Sequence, residues 1–388
     1  MTSNIPTQIK IGIDATNIRL GGGITHLQEI LNFAEPQLHQ ISEVVVWAGQ
    51  STLDRLPSFP WLIKKNPQAL NQGLLSRIWW QWKSLSDEVK NEKCNLVFIP
   101  GGSYVGNFFP AVSMSQNLLP FEWKEIKRSG FSLLTAKMLL LRWTQAFTFC
   151  RSQGVIFLTQ YSMSAVLKIT GPLKGDIAVI PHGFNGQFEC APRAQQSIDQ
   201  YSKAKPYRIL YVSNIDRYKH QDKVLEAIKI LRNKNYPVEI VFIGPAIPRS
   251  LQALELEMGQ VDKNGEWAHY LGQVPATELQ AQYHQADLAL FASSCETFGI
   301  ILLEKMSAGL PIACSSLSSM GEVLQNTGLY FDPLDSADIA KVVESYLLSP
   351  QLRTEMQEKS YLRAKEYSWK VCAEHTFAFL SKVARENS

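Results

Sequence analysis

The sequence predicts an α/β protein with two doubly wound parallel sheets in tandem. Three observations point there. Short apolar runs alternate with helical periodicity along nearly the whole chain. A polar stretch near the middle interrupts the alternation once, and it then restarts. The length, 388 residues, suits two domains of ordinary size better than one core. Apolar runs separated by helices require crossover connections, hence parallel strands covered on both faces.

Residues 8–15 read as the first strand, ending at the turn Gly21-Gly22-Gly23; residues 24–35 read as the first helix, stopped by Pro36. Strands follow at 43–48, 95–99, 111–114 and 155–158, with long helices over 74–90 and 130–151. A last strand ends at 176–183. Residues 185–206 are polar and alanine-rich with little periodicity, and read as a linker. The second half then places strands at 208–212, 238–243, 269–271, 288–291, 312–314 and 329–331. Its helices fall at 221–232, 250–260, 276–285, 300–308 and 336–348. Ligands of such sheets bind beyond the carboxyl ends of the strands, so a cleft between two of them is the expected site.

Composition narrows the function. Hydrophobic residues at 45% and charged residues at 19% exclude global disorder. A net charge of +3 gives no argument for nucleic acid. Residues 1–185 carry 17 basic and 11 acidic side chains, a surplus that suits an anionic acceptor or a membrane face as well as ordinary surface variation. The six cysteines include no Cys-x-x-Cys pair and sit in apolar runs, which predicts reduced, mostly buried thiols of a cytoplasmic protein. The histidines show no metal-ligand spacing. Residues 1–7 have no basic, then apolar, signal-like order. The longest apolar stretch, 131–149, is interrupted by Lys137 and Arg142, and predicts a buried or interfacial helix rather than a membrane span.

The residues that carry chemistry concentrate at 295–311, Cys-Glu-Thr-Phe-Gly-Ile-Ile-Leu-Leu-Glu-Lys-Met-Ser-Ala-Gly-Leu-Pro. Glu296 falls in the loop after a strand, and Glu304 inside the helix that follows. As solvated surface residues they make little sense, because Glu304 interrupts an apolar helix where an unpaired charge is costly. Gly299 lets the backbone pass close to a ligand. The helix starting there offers free N–H groups and a positive dipole end to a diphosphate. Carboxylates beside it can accept hydrogen bonds from sugar and ribose hydroxyls.

A second run, 210–221, leads a strand into a loop carrying Asn214, Arg217 and Lys219. Two cations at the end of a strand suit a pyrophosphate leaving group, each contact being worth about 1.5–3 kcal/mol. Gly22 and Gly23 allow close backbone approach, although tight turns use glycine anyway, and the pattern is not the Gly-x-Gly-x-x-Gly fingerprint. His182, in Val179-Ile180-Pro181-His182-Gly183, reads as a cleft-lining or packed residue rather than a base. Gln116 and Asn117, before Pro120, are neutral amides that can orient hydroxyls but cannot act as acid or base; a plain turn is the equal alternative.

Residues 296–304 resemble the E-x7-E signature of the retaining glycosyltransferases of family 4, the group 1 glycosyl transferases. The resemblance covers about residues 8–383 and is most specific over 208–332. It implies a GT-B fold: an acceptor-side Rossmann-like domain over 1–185, joined by a terminal helix over 368–388 that Tyr367-Ser368-Trp369 opens, and a donor domain over 206–367. It implies that Glu296 approaches the transferred sugar, that Phe298, Gly299 and Ile300 touch sugar and phosphate, and that Glu304 holds the ribose. Lys219 keeps the lysine of the family's G-R-x-x-x-x-K-G loop. Ser213-Asn214 replaces its Gly-Arg and His220 its final glycine, so Arg217 is the candidate for the lost arginine. Gly22 and Gly23 match a glycine loop that reaches the donor phosphate, and Gln116-Asn117 stands where many relatives have His-Asp.

The expected activity is transfer of a hexose from a nucleotide-diphosphate sugar to a glycan or lipid-linked acceptor, with retention of configuration. Family frequency puts GDP-mannose first and UDP-sugars close behind. No Asp-x-Asp motif occurs, so neither a metal nor a further cofactor is expected. The alternatives are a GT-B epimerase or phosphorylase, a non-catalytic sugar-binding protein, and a nicotinamide dehydrogenase. The glutamate spacing favours transfer. The expected partners are the nucleotide sugar, the acceptor and a peripheral contact with the inner membrane face. The runs Trp79-Trp80-Gln81-Trp82-Lys83 and Phe121-Glu122-Trp123-Lys124 suit that contact, and suit a core equally.

Overall fold

A computed structural model describes residues 8–19, 21–128, 130, 132–184 and 186–387. Residues 1–7, on which the signal-peptide expectation rests, and Phe131 and Asn185, which begin two of the expected elements, lie outside the described residues. The chain divides into two compact units, Met1–Gly183 with Ser368–Ser388, and Phe184–Tyr367.

Unit 1 contains β1 (Ile9–Asp14), α1 (Gly22–Asn32), β2 (Ile41–Trp47), α2 (Gln50–Leu53), β3 (Leu62–Lys65), α3 (Leu74–Lys83) and α4 (Leu85–Asn91). It continues with β4 (Leu96–Ile99), β5 (Ala111–Met114), α5 (Trp123–Arg128), α6 (Leu133–Arg151), β6 (Gly154–Phe157), α7 (Gln160–Thr170) and β7 (Asp176–Val179). Among the described residues its strands form one parallel sheet in the order β3-β2-β1-β4-β5-β6-β7. The chain starts in the middle, winds one way and then the other, so the strand order reverses between β1 and β4.

Unit 2 contains β8 (Tyr207–Val212), α8 (Gln221–Asn233), β9 (Val238–Ile243), α9 (Pro248–Val261), β10 (Ala268–Tyr270), α10 (Ala276–Gln285) and β11 (Leu288–Phe291). It ends with α11 (Ile300–Ser307), β12 (Ile312–Ser315), α12 (Met320–Leu324), β13 (Leu329–Phe331), α13 (Ser336–Leu348) and α14 (Pro350–Ala364). Its described strands make a second parallel sheet, β10-β9-β8-β11-β12-β13. Strands β9, β11 and β12 are wholly buried, as two-sided cover requires.

The terminal helix α15 (Trp369–Glu386) belongs to unit 1 and packs on α1. Its entry explains Gly183: a Cβ there would lie 2.0 Å from the backbone nitrogen of Trp369. Trp369 closes over two buried histidines, His26 of α1 and His182, whose Nδ1 atoms are 3.1 Å apart. Ser381 of α15 donates to the His39 carbonyl at 2.7 Å.

Three readings of the sequence differ from the structure. The helix read over 74–90 is two helices that meet at Ser84, whose φ of −111° resets the helical face. The break lets Trp80, Leu85 and Val89 all enter one core cluster. Strand β3 went unread because Leu62 is its one fully buried residue and Lys64 and Lys65 follow, the composition of a protected edge.

The stretch 185–206, read as a linker, is packed into unit 2 over its described residues. Arg193 pairs with Asp287 at 2.9 Å, Gln357 donates to the Arg193 carbonyl at 2.6 Å, and the buried Arg353 donates to Gln195 at 3.0 Å and to the Gln196 carbonyl. Polar anchors between distant residues leave no periodicity to read. The six cysteines are free, with Cys94, Cys295, Cys314 and Cys372 buried, Cys190 partly buried and Cys150 exposed.

The histidine pair sets a pH dependence. Burial lowers His26 to about 3 and His182 well below its ordinary 6.5, the His26 ring adding to the shift of His182. An unfolded chain protonates both near 6.5, whereas the folded rings stay neutral to much lower pH. Unfolding below pH 6.5 therefore takes up protons, and stability falls as pH falls. Urea titrations between pH 7.5 and 4.5 should show about 1.4 kcal/mol lost per pH unit for each histidine below 6.5. His26→Gln should reduce that slope by one proton's worth.

Candidate active site

The candidate site of unit 2 lies past the carboxyl ends of β8 and β11. A short turn, Arg217–Lys219, follows β8 and ends at His220, whose φ of 51° is left-handed. That conformation is where the resembling family has glycine. Here the imidazole Nε2 lies 2.9 Å from Ser294 Oγ, which anchors the turn to the loop after β11. Tyr211 donates its hydroxyl to the Lys219 carbonyl. The Lys219 side chain is buried, with its amine 4.7 Å from the Tyr218 ring centre and 5.3 Å from that of Phe291, and it forms an ion pair with Glu296. Burial works against the ammonium, but the Glu296 carboxylate more than offsets it, and the lysine pKa is raised.

Glu296 is fixed from behind. Its N–H donates to Ser318 Oγ at 2.8 Å, and its carbonyl accepts from Ser318 at 2.8 Å and Ser319 at 3.0 Å. The backbone then passes through Phe298, buried edge-on against Tyr367 at 5.4 Å, to Gly299. Gly299 caps α11 with φ 83°, and a Cβ there would sit 2.9 Å from Met320 Cε. Ile300 opens the helix, whose first turn carries no acidic side chain. Such a start offers N–H groups and a positive end to an anion.

Glu304 sits one turn along α11. It is partly buried, its Oε2 lies 3.4 Å from the Tyr283 hydroxyl, and burial raises its pKa to about 7 against the opposing pull of Lys305 and Tyr283. Asn214 donates weakly to the Tyr218 hydroxyl at 3.4 Å. Arg217 is exposed, in contrast to the buried Lys219.

In unit 1, Gly22 and Gly23 are the first residues of α1, after Gly21 at φ 70°. A Cβ on Gly23 would stand 3.4 Å from Gln116 Oε1, so these two lie side by side. The Asn117 carboxamide oxygen accepts from the Leu119 N–H at 3.2 Å, closing a turn before Pro120. His182 is packed against His26 and Trp369.

Sequence reasoning passed over Ser318, Ser319 and Tyr283, which position the two glutamates. It also passed over Asp14, a buried carboxyl at the end of β1 that accepts from the Thr16 N–H at 3.1 Å and from Gln81. A carboxylate ending an otherwise apolar strand is the one signal that could have found Asp14. Among the described residues no cluster of three or more His, Cys, Asp or Glu could hold a metal.

Residues 193–363 match the model of the family glycosyl transferases group 1. The chain is 30% identical over 192 residues to O-antigen chain mannosyltransferase B of Escherichia coli, covering 48% of each chain. It is 25% identical over 215 residues to a glycogen synthase of Mycobacterium tuberculosis, covering 54% of this chain and 50% of that one. The chain thus spans about half the length of the curated relatives it matches. Solved structures match nearly the whole chain. Anabaena HepE in complex with UDP and glucose aligns with TM-score 0.70 and 15% identity over 97% of this chain and all of that one. Sucrose-phosphate synthase from Thermosynechococcus elongatus aligns with TM-score 0.74 and 16% identity over 95% and 97%. The fold is therefore GT-B, two Rossmann-like α/β domains in one chain.

Glu304 gives a prediction independent of any ligand. An unfolded chain ionises it near 4.5 and the folded chain near 7, so unfolding releases a proton between these values and this group costs stability as pH rises. Glu304→Gln should raise stability at pH 8 by about 2 kcal/mol, discounted for its partial exposure, and the gain should vanish by about pH 4. Thermal unfolding at both pH values measures it.

Proposed function

We propose that this chain transfers a hexose from a nucleotide-diphosphate sugar to a saccharide or lipid-linked acceptor, with retention of configuration. The observation that carries the reading is the ion pair of the buried Lys219 with the partly buried Glu296, beside the start of α11. It sets an ammonium and a set of helix N–H groups where a leaving diphosphate would gather charge. In the proposed reaction the bond from the anomeric carbon to the phosphate oxygen breaks as the acceptor oxygen attacks on the same face. The acceptor's proton passes to the departing phosphate oxygen. Lys219 and the N-terminus of α11 stabilise the diphosphate, Glu296 orients the sugar, and Glu304 accepts from the ribose hydroxyls. Gln116, beside Gly23, orients an acceptor hydroxyl. No divalent ion takes part. A similar mannosyltransferase and the UDP and glucose held by a neighbour of the same fold support the donor class.

The test is thermal stabilisation across UDP-, GDP-, ADP- and dTDP-sugars, run with and without chelator. A ligand at a hundred times its dissociation constant adds about 2.7 kcal/mol. One nucleotide sugar should stabilise the protein, the shift should survive chelator, and Lys219→Ala and Glu304→Ala should abolish it. A folded protein that no nucleotide sugar shifts, with candidate acceptors present, would refute the reading.

A peripheral membrane contact is part of the proposal. No described helix is long and apolar enough to cross a membrane. Yet the first half of α6 is exposed almost all round, with Leu133 at 91%, Leu140 at 61% and Trp143 at 65%. On α3, Trp79 and Trp82 are exposed while Trp80 is core, and Trp123 of α5 is exposed beside Arg142 and Lys127. Helices α3 and α6 carry Arg77, Lys83, Lys137, Arg142 and Arg151 and no carboxylate. Apolar side chains among cations suit an anionic lipid surface. The protein should sediment with phosphatidylglycerol vesicles and not with phosphatidylcholine ones. Lys137→Glu with Arg142→Glu, or Leu140→Ser with Trp143→Ser, should each reduce binding about tenfold or more; equal binding to both vesicle types would refute the contact.

A further inference from the structure

The sheet of unit 2 opens between β8 and β11. The ladder joins Ile209 to Leu288 and Leu210 to Ala289, and ends there. On its other side β8 stays paired as far as Val212, opposite Ile243, and β11 stays paired with β12 as far as Phe291. The last two residues of each strand therefore part from one another where the strand order of the sheet reverses. Carbonyls released by such a split, in a buried place, must find other donors.

Lys305 supplies them. Its side chain is fully buried, and its amine donates to the Val212 carbonyl at 3.0 Å and to the Leu290 carbonyl at 3.0 Å. The rings of Phe291 and Tyr211 close on it, with centres 4.3 and 5.2 Å away. No carboxylate pairs with this amine among the described residues. Burial drives its pKa well below that of an ordinary lysine. The position is one residue past Glu304, so α11 presents Glu304 toward Tyr283 and Lys305 into the split.

We propose that Lys305 is a positioning residue of the transferase site: by bridging the carbonyls of Val212 and Leu290, it holds the ends of β8 and β11 at the separation at which Lys219 meets Glu296. Lys219 follows β8 by a seven-residue reach and Glu296 follows β11 by five, so the spacing of the strand ends sets the spacing of the pair. The proposal rests on the transferase reading of this site.

Lys305→Met keeps the length of the side chain and removes the donor; Lys305→Gln and Lys305→Arg keep donors. The readouts are the unfolding midpoint, UDP and GDP affinity by calorimetry, and the rates of UDP release from UDP-glucose and GDP release from GDP-mannose. In the folded Lys305→Met protein, kcat should fall at least about tenfold while KM for the donor stays within about threefold, and Lys305→Arg or Lys305→Gln should restore part of the rate. A folded Lys305→Met protein with wild-type kcat overturns the proposal, whatever its unfolding midpoint. If that variant does not fold, Lys305→Leu, which also lacks a donor, carries the comparison, and a wild-type rate there overturns it equally. Failure of both to fold assigns the residue to stability alone and overturns it too. A wild-type protein that binds neither nucleotide and releases none refutes the transferase reading itself, an outcome distinct from any loss confined to the variants.

Discussion

Lys219 and Glu296 hold each other where neither could stand alone. A buried ammonium or carboxylate without a partner loses several kcal/mol of hydration, and breaking such a pair costs more than forming it gains. The pair is therefore a constraint on everything that delivers it. Two loops from two strands must arrive at the same place, and the anchors around them serve that end. His220 meets Ser294, Tyr211 holds the Lys219 carbonyl, and two serines clasp the backbone of Glu296. The chain spends these polar contacts on loop geometry, where an ordinary loop would be left to solvent.

The same pair bears on the proposed diphosphate site. Burial works against the Lys219 ammonium and Glu296 favours it, with the lysine pKa raised on balance. An arriving diphosphate would offer the ammonium a second acceptor, and Glu296 would be released to hydroxyl groups of the sugar. Such an exchange of partners avoids the desolvation of a bare lysine at the moment of binding. In the proposed reaction it would also keep the cation in place for the charge that develops on the leaving group, the stage at which stabilisation accelerates a reaction.

Much of the fold was legible because parallel strands buried on both faces are uninterrupted apolar runs. The strands at 111–114, 238–243, 288–291 and 329–331 lie where the sequence put them. An edge strand such as β3, with lysines on it, lacks that signature, and the strap over 186–206 is held by bonds spanning 94 to 164 residues that leave no local trace. The site divides in the same way. Residue type and spacing were enough to single out Glu296, Glu304 and Lys219. Ser318, Ser319 and Tyr283 were invisible, because their parts come from which loops the sheet brings together, and nothing in their own neighbourhoods marks them.

Where the chain departs from the family loop, the structure shows what replaces the missing group. Ser213 stands at the family's glycine position, its hydroxyl taken up by Gln221 at 3.0 Å, and a Cβ on Gly244 would lie 2.1 Å from its carbonyl. The turn is thus kept tight by Gly244 rather than by a glycine in the loop itself. Asn214 brings no charge, and Arg217 is exposed, where screening leaves a typical surface ion pair worth about 1 kcal/mol at most. In the proposed reaction the burden of a diphosphate would then fall on Lys219 and on the start of α11, whose dipole is equivalent to about half a unit charge. Two such groups in a buried setting outweigh a third cation in water, because the Coulomb energy of a pair at 4 Å rises from about 1 kcal/mol in water to about 4 kcal/mol near a protein surface. The loss of the arginine is therefore tolerable on one condition: that Lys219 stays buried and the backbone at Gly299 stays close.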